Sequence, residues 1–208
     1  MRKYLIISLL ASYSIIFAGE SEDFKAVDNL YKERNFKAAL VESEKFLQKY
    51  PESKHQKSMR DKVAKIYFLE KNYKKAEEIY HKMIELGNPD GYFGLGETYR
   101  LLKKKKKAEE FYQKGADMGE PKSAFKMGNI KGKKRQHNEA VKYYLVAANK
   151  GHVTAMFNLA VQYDLVDDYE NAKKWAKKAG ENGDNEGYVY LKEIEEKERK
   201  EKEILGGN

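Results

Sequence analysis

Four histidines are the first candidates for chemistry: His55, His81, His137 and His152. None lies at a metal-ligand spacing from another histidine or from a carboxylate motif. They read as surface side chains, not ligands. No serine sits in a nucleophile elbow. Gly94 and Gly96 suggest a nucleotide loop, but no strand pattern precedes them. Asp164, Asp167 and Asp168 lack the loop glycine and terminal glutamate of a calcium loop, so they read as a solvated turn. With no cysteine there is no thiolate site and no disulfide. The sequence therefore predicts no catalytic residue, no metal and no cofactor.

Two sets of residues are better suited to binding. Phe93, Phe125 and Phe157 recur every 32 residues. Each stands one place after a small or apolar column, which turns it towards a face shared by equivalent helices. Glu97, Asn129, Arg100 and Asp164 follow one turn or more further on. Spaced aromatics among mixed polar groups suit an extended peptide or a partner helix. The competing reading makes the same phenylalanines core between repeats, because aromatics at helical spacing usually pack. The second set is basic: Lys103, Lys104, Lys105, Lys106 and Lys107 form an unbroken run. Lys71, Lys74 and Lys75 lie about one period earlier, and Lys133, Lys134 and Arg135 about one period later. Such an edge attracts an acidic polymer or surface, unless it is merely solvated. No aromatics interleave the lysines, which disfavours nucleic acid.

The elements that carry these residues follow from the period. Gly87, Gly119, Gly151 and Gly183 are 32 residues apart, as are Ala76, Ala108, Ala140 and Ala172. Val63, Leu95, Met127, Leu159 and Leu191 form an apolar column, and Ala64, Gly96, Gly128 and Ala160 a small one. Tyr67, Tyr99 and Tyr163 share another column, broken by Lys131. Tyr80, Tyr112 and Tyr144 share one more, broken by Ala176. Within each period two stretches have helical spacing, so each unit is a helical hairpin closed by a glycine. Gly96 and Ala108 are expected where the two helices approach, with the aromatics filling the space between hairpins.

Those columns carry a resemblance. Asn72-Tyr73 to Tyr80, with Ala76 between, resembles a tetratricopeptide (TPR) repeat. Tyr92, Leu95, Gly96 and Tyr99, and the run from Ala147 through Gly151-His152 to Ala155, resemble the Sel1-like subclass. The resemblance covers about residues 20–192 and implies an all-α fold, a right-handed α-solenoid with its first helices on the concave face. Units are expected near 20–53, 57–88, 89–120, 121–152 and 153–184. A capping helix with a polar tail is expected over 185–208, because Glu193 to Lys200 is polar nearly all round.

The ends and totals complete the reading. Arg2 and Lys3, an apolar run from Leu5 to Phe17, and Ala18 before Gly19 have the order of a signal peptide, 1–18, cut after Ala18. The chain is then exported, to the periplasm or beyond the cell. The whole sequence holds 41 Lys and Arg against 33 Asp and Glu, a net +8, so its surface is cationic. These expectations converge on a non-enzymatic scaffold that holds a protein or peptide partner in the groove. The alternative is an envelope-associated binder of an acidic component through the lysine edge. A cell-wall or β-lactam hydrolase is the least favoured, for want of an acid–base pair.

Overall fold

The computed structural model describes residues 19–206. The expected signal segment, 1–18, lies outside them. Every regular element among the described residues is an α-helix. Residues 19–32 are helical and are called α1. Then come α2 (Phe36–Lys49), α3 (Gln56–Leu69), α4 (Tyr73–Glu85), α5 (Asp90–Leu101) and α6 (Lys105–Asp117). They are followed by α7 (Pro121–Lys133), α8 (His137–Asn149), α9 (Val153–Asp164), α10 (Tyr169–Glu181) and α11 (Asn185–Gly206). Consecutive helices pair as antiparallel hairpins, which is the α-solenoid class. No described helix is long and apolar enough to cross a membrane. The chain divides into two compact units, up to Gly94 and from Leu95 onward.

Two kinds of turn build the repeat. Between hairpins, Gly87, Gly119, Gly151 and Gly183 all have positive φ, from 71° to 96°. A side chain there would be strained, so glycine ends each second helix. Within hairpins the left-handed residue is not glycine. Arg34, Lys71, Lys103, Arg135 and Asp167 hold φ between 57° and 61°. The next residue then opens the second helix, and Asn35, Asn72 and Asp168 cap it by accepting a backbone N–H.

First helices are capped from one sequence column. Asn88 accepts from the Asp90 N–H at 3.1 Å, Glu120 from Ser123 at 2.6 Å, His152 from Ala155 at 3.3 Å and Asp184 from Glu186 at 3.2 Å. Each follows a left-handed glycine directly. A side-chain acceptor at this place satisfies an N–H that the helix leaves open.

In the first unit, Val27, Phe46, Tyr50 and Met59 make a buried cluster edged by Phe24 and Leu47. The longer joint at Pro51-Glu52 is tied down locally. The Gln56 amide donates to the Leu47 and Tyr50 carbonyls at 3.1 and 2.6 Å, and Ser53 Oγ donates to Glu20 at 2.6 Å. Tyr80 lies against Gly94, where a Cβ would come within 2.2 Å of its ring.

In the second unit the aromatics do not all sit where the sequence placed them. The Tyr112 ring packs inside its own hairpin on Gly96, where a Cβ would approach to 2.3 Å. Tyr144 packs on Gly128 in the same way, at 2.6 Å. Only the absence of a side chain lets each ring lie flat on the opposite helix. In the following hairpin the glycine is replaced by Ala160 and the tyrosine by Ala176, both fully buried. Glycine and ring are lost together here, whereas in the α3/α4 hairpin of the first unit Ala64 stands in the glycine column and Tyr80 keeps the ring, both buried. Lys131, which breaks a tyrosine column, pairs with Glu139 at 2.5 Å.

The last helix, α11, packs on α9 and α10. Tyr190 donates to Asp164 at 2.7 Å, Lys173 pairs with Glu198 at 2.6 Å, and Tyr169 donates to Glu201 at 2.8 Å. Ile194 is buried, while the neighbouring charges face water. This is the expected polar cap, built as one helix.

Candidate binding face

The second unit carries a polar ladder on the face formed by its first helices. Glu97 of α5 accepts from the Tyr112 hydroxyl at 2.5 Å and from Arg100 Nη2 at 2.7 Å. Lys126 of the next first helix reaches the same carboxylate at 3.0 Å. One period on, Asn129 of α7 accepts from the Tyr144 hydroxyl at 2.7 Å and from the Asn158 amide at 3.3 Å. Each rung therefore joins a first helix, the tyrosine of its own second helix and the next first helix. The positions are Glu97, Tyr112 and Lys126, then Asn129, Tyr144 and Asn158. At the third step the corresponding residues are Val161, Ala176 and Tyr190, and the polar tie moves to Asp164.

The electrostatics follow from the contacts. Burial pushes the Glu97 carboxyl up, but hydrogen bonds from Arg100, Tyr112 and Lys126 outweigh it and hold the group below its ordinary range. Burial, together with the hydrogen bond to Glu97, pushes the Tyr112 phenol well above its ordinary 10. Tyr144 and Tyr190 are raised as well, chiefly by burial. These tyrosines remain neutral donors and fix the orientation of the acceptors they serve.

Beside the first rung opens a cleft of about 620 Å³. Arg100, Lys105, Ala108, Glu109, Tyr112, Lys126, Asn129, Ile130, Lys133 and Lys134 line it. This joins two sets that the sequence kept apart. Arg100 and Asn129 come from the expected groove, whereas Lys105, Lys133 and Lys134 come from the expected basic edge. Lys134 ties the turn after α7 to Glu109 of α6 at 2.7 Å. Lys104 and Lys107 lie over the Tyr99 ring, at 5.8 and 5.2 Å from its centre. Lys103, Lys106 and Arg135 are exposed at the turns.

The phenylalanines are half-buried and bridge neighbouring elements. Phe125 stacks on His152, with ring centres 4.3 Å apart, and Phe157 meets Tyr190 at 5.5 Å. Phe24 stacks on His55 at 4.1 Å in the first unit. Phe93 belongs to the first unit, and Phe125 and Phe157 to the second. Phe125 and Phe157 thus join successive repeats while remaining partly exposed. Asp164 is engaged by Tyr190 and by Lys197 at 3.1 Å.

Sequence reasoning missed Lys126 and Asn158. Their column reads Gly94, Lys126, Asn158, Tyr190, with no common chemistry to mark it. It also placed His152 at the surface, whereas the ring is a half-buried cap. No group of three His, Cys, Asp or Glu among the described residues is placed to hold a metal ion.

Comparison with known proteins fits this architecture. The Sel1 repeat model matches residues 66–88, 121–152 and 153–184, and a tetratricopeptide repeat model matches 89–118. No curated protein matches the sequence. Among solved structures, a protective antigen of uropathogenic Escherichia coli, c5321, described as displaying an SLR fold, aligns with a TM-score of 0.62 and 19% identity. That alignment covers 87% of this chain but only 41% of the antigen. BtubC from P. vanneervenii aligns with a TM-score of 0.55 and 16% identity, over 81% of this chain and 83% of that one. A tetratricopeptide repeat protein from Parabacteroides merdae aligns at 0.51 and 12%, over 84% and 72%. At these identities the likeness is one of fold.

Proposed function

Because the chain is a repeat protein of the tetratricopeptide and Sel1 class, we propose that it is a non-enzymatic scaffold that acts after export. It holds an extended segment of a partner protein along the first helices of the second unit. The polar ladder is the observation that carries this reading. The ladder holds Glu97 and Asn129 in fixed orientations one repeat apart, with Lys126 and Asn158 tied beside them. Rigid polar groups cost a partner little ordering entropy and give register to an extended chain. Phe125 and Phe157, both partly exposed, add apolar anchors on the same helices.

The charge around the cleft favours a partner with acidic side chains. Arg100, Lys105, Lys126, Lys133 and Lys134 outnumber the one carboxylate of the lining, Glu109. A partner segment with carboxylates spaced to meet these cations gains charge-assisted hydrogen bonds.

The reading is tested by substituting the face and measuring partner capture and thermal stability together. Asn158→Ala with Lys126→Ala removes two donors that are not core residues. Capture should fall by about tenfold, with the melting midpoint lowered only modestly by loss of the ties to Glu97 and Asn129. Unchanged capture would remove the ladder from the binding surface. Changing Phe125 and Phe157 together to Ser should lower both capture and stability, since each ring also bridges repeats.

A further inference from the structure

The turn between α5 and α6 has a composition that neither the ladder nor the cleft uses in full. Leu101 ends α5 and Leu102 opens the turn, with 40% and 37% of their surface exposed. Lys103 to Lys107 follow at once, all exposed. Lys103, Lys105 and Lys106 pair with no carboxylate among the described residues. The adjacent turn, between α7 and α8, is basic through Lys133, Lys134 and Arg135, also exposed. The two turns are neighbours, since Lys105, Lys133 and Lys134 line one cleft.

We infer that this edge of the second unit docks on an anionic lipid bilayer, with Leu101 and Leu102 entering the interface and the lysines and Arg135 lying among the headgroups. Two exposed adjacent leucines are costly in water and are repaid by partial burial at the acyl boundary. The flanking cations are drawn to a negatively charged leaflet and sit at headgroup depth while their stems cover apolar surface. An acidic polymer or nucleic acid would use the lysines alone and leave the leucines idle. The pairing of both features at one turn selects lipid over those partners. The leucines set this docking apart from the groove reading, since neither belongs to the ladder or lines the cleft, although Lys105, Lys133 and Lys134 are shared with the cleft.

The chain has no cysteine, so a single Leu102→Cys carries one polarity-sensitive dye at the turn. Met118→Cys, at the other end of α6 and 65% exposed, is the control. The full chain is mixed with vesicles of phosphatidylcholine, with and without phosphatidylglycerol. Position 102 should shift to the blue and be quenched by a lipid-borne quencher on anionic vesicles only, while position 118 should not. This readout separates the edge from any anchoring by the apolar run Leu5–Phe17. Changing Lys103, Lys105 and Lys106 to Gln should weaken the effect by roughly a hundredfold in apparent affinity. Leu101→Ser with Leu102→Ser should weaken vesicle binding by about tenfold, with the helical circular dichroism retained and only a modest drop in melting midpoint, since each side chain is also partly covered. The inference is overturned by an unshifted dye at 102, by equal shifts at 102 and 118, or by equal shifts on neutral vesicles. It is also overturned if the leucine variant binds anionic vesicles as the parent does. That outcome, with equal binding to an acidic polymer, would leave a purely ionic edge.

Discussion

At the scale of single residues, His152 shows how one cap carries a pH dependence. Its Nδ1 accepts the Ala155 N–H, so that nitrogen must be unprotonated, and the ring stacks on Phe125. Burial lowers its pKa from the ordinary 6.5, with Glu120 opposing the shift and Lys122 adding to it. Because the folded pKa is depressed, the stabilisation is complete above pH 6.5. It is lost as pH falls through the folded value, where the unfolded chain has already taken a proton. His152→Asn copies the residue that caps α5, Asn88. The parent's melting midpoint should fall relative to the variant's as pH is lowered below about 6.5, because the Asn cap does not titrate, while the difference between them holds steady above it. A constant difference would mean that the cap does not titrate. Glu97 follows the same sign at lower pH, since its folded carboxyl lies below the ordinary 4.5 and its ties weaken as it protonates.

Between helices, the second unit depends on flat contact between a ring and a bare backbone. Gly128→Ala would place a methyl 2.6 Å from the Tyr144 ring, and the hairpin must open or the ring must turn. Urea or thermal melts should show a loss of roughly 1–3 kcal/mol. With Tyr144→Ala already present, the same change should be neutral or favourable, because alanine is a better helix former by about 1 kcal/mol. Natural use of Ala160 opposite Ala176 is the same pair of changes made by the sequence itself. Strictly additive losses would show that ring and glycine do not couple.

The element scale is also where sequence and structure part. The period was legible because glycine, alanine and tyrosine columns each have one physical task and so one residue type. Glycine at 87, 119, 151 and 183 ends a helix in the left-handed region, and only glycine does so cheaply. The matching turns inside hairpins were not legible, because Arg34, Lys71, Lys103, Arg135 and Asp167 adopt the same region without a residue type that advertises it. The candidate face was half legible. Glu97, Asn129, Arg100 and Asp164 were reached from helical spacing, and all four are engaged at the face. Lys126 and Asn158 were not, since they are joined to the face through space by chemistry that differs at each rung. The resemblance supplied the expectation that the face shared by the first helices is the concave one, which spacing alone left open.

For the molecule as a whole, no single core explains the fold. In the second unit two hairpins are held by a ring-on-glycine contact, Tyr112 on Gly96 and Tyr144 on Gly128, and one by Ala160 and Ala176, with polar ties between neighbours, so stability there is spread along the repeat. The net charge of +8 is likewise not uniform. It gathers at the turns after α5 and α7, while the turn after α9 is acidic through Asp167 and Asp168. A repeat chain of this kind presents separate surfaces on one frame, with the ladder suited to a protein segment and the leucine–lysine turn to lipid.

The central claim is that the first helices of the second unit hold a partner. Its most direct measurement is photo-crosslinking in the living cell, from reactive residues placed singly at Lys126, Asn158, Asp117 and Lys178. The first two lie on the ladder, and the other two on second helices, α6 and α10. The account predicts one discrete adduct of the same partner from Lys126 and Asn158, and none from Asp117 or Lys178. Adducts of equal yield from all four positions, or none from the ladder, would contradict it.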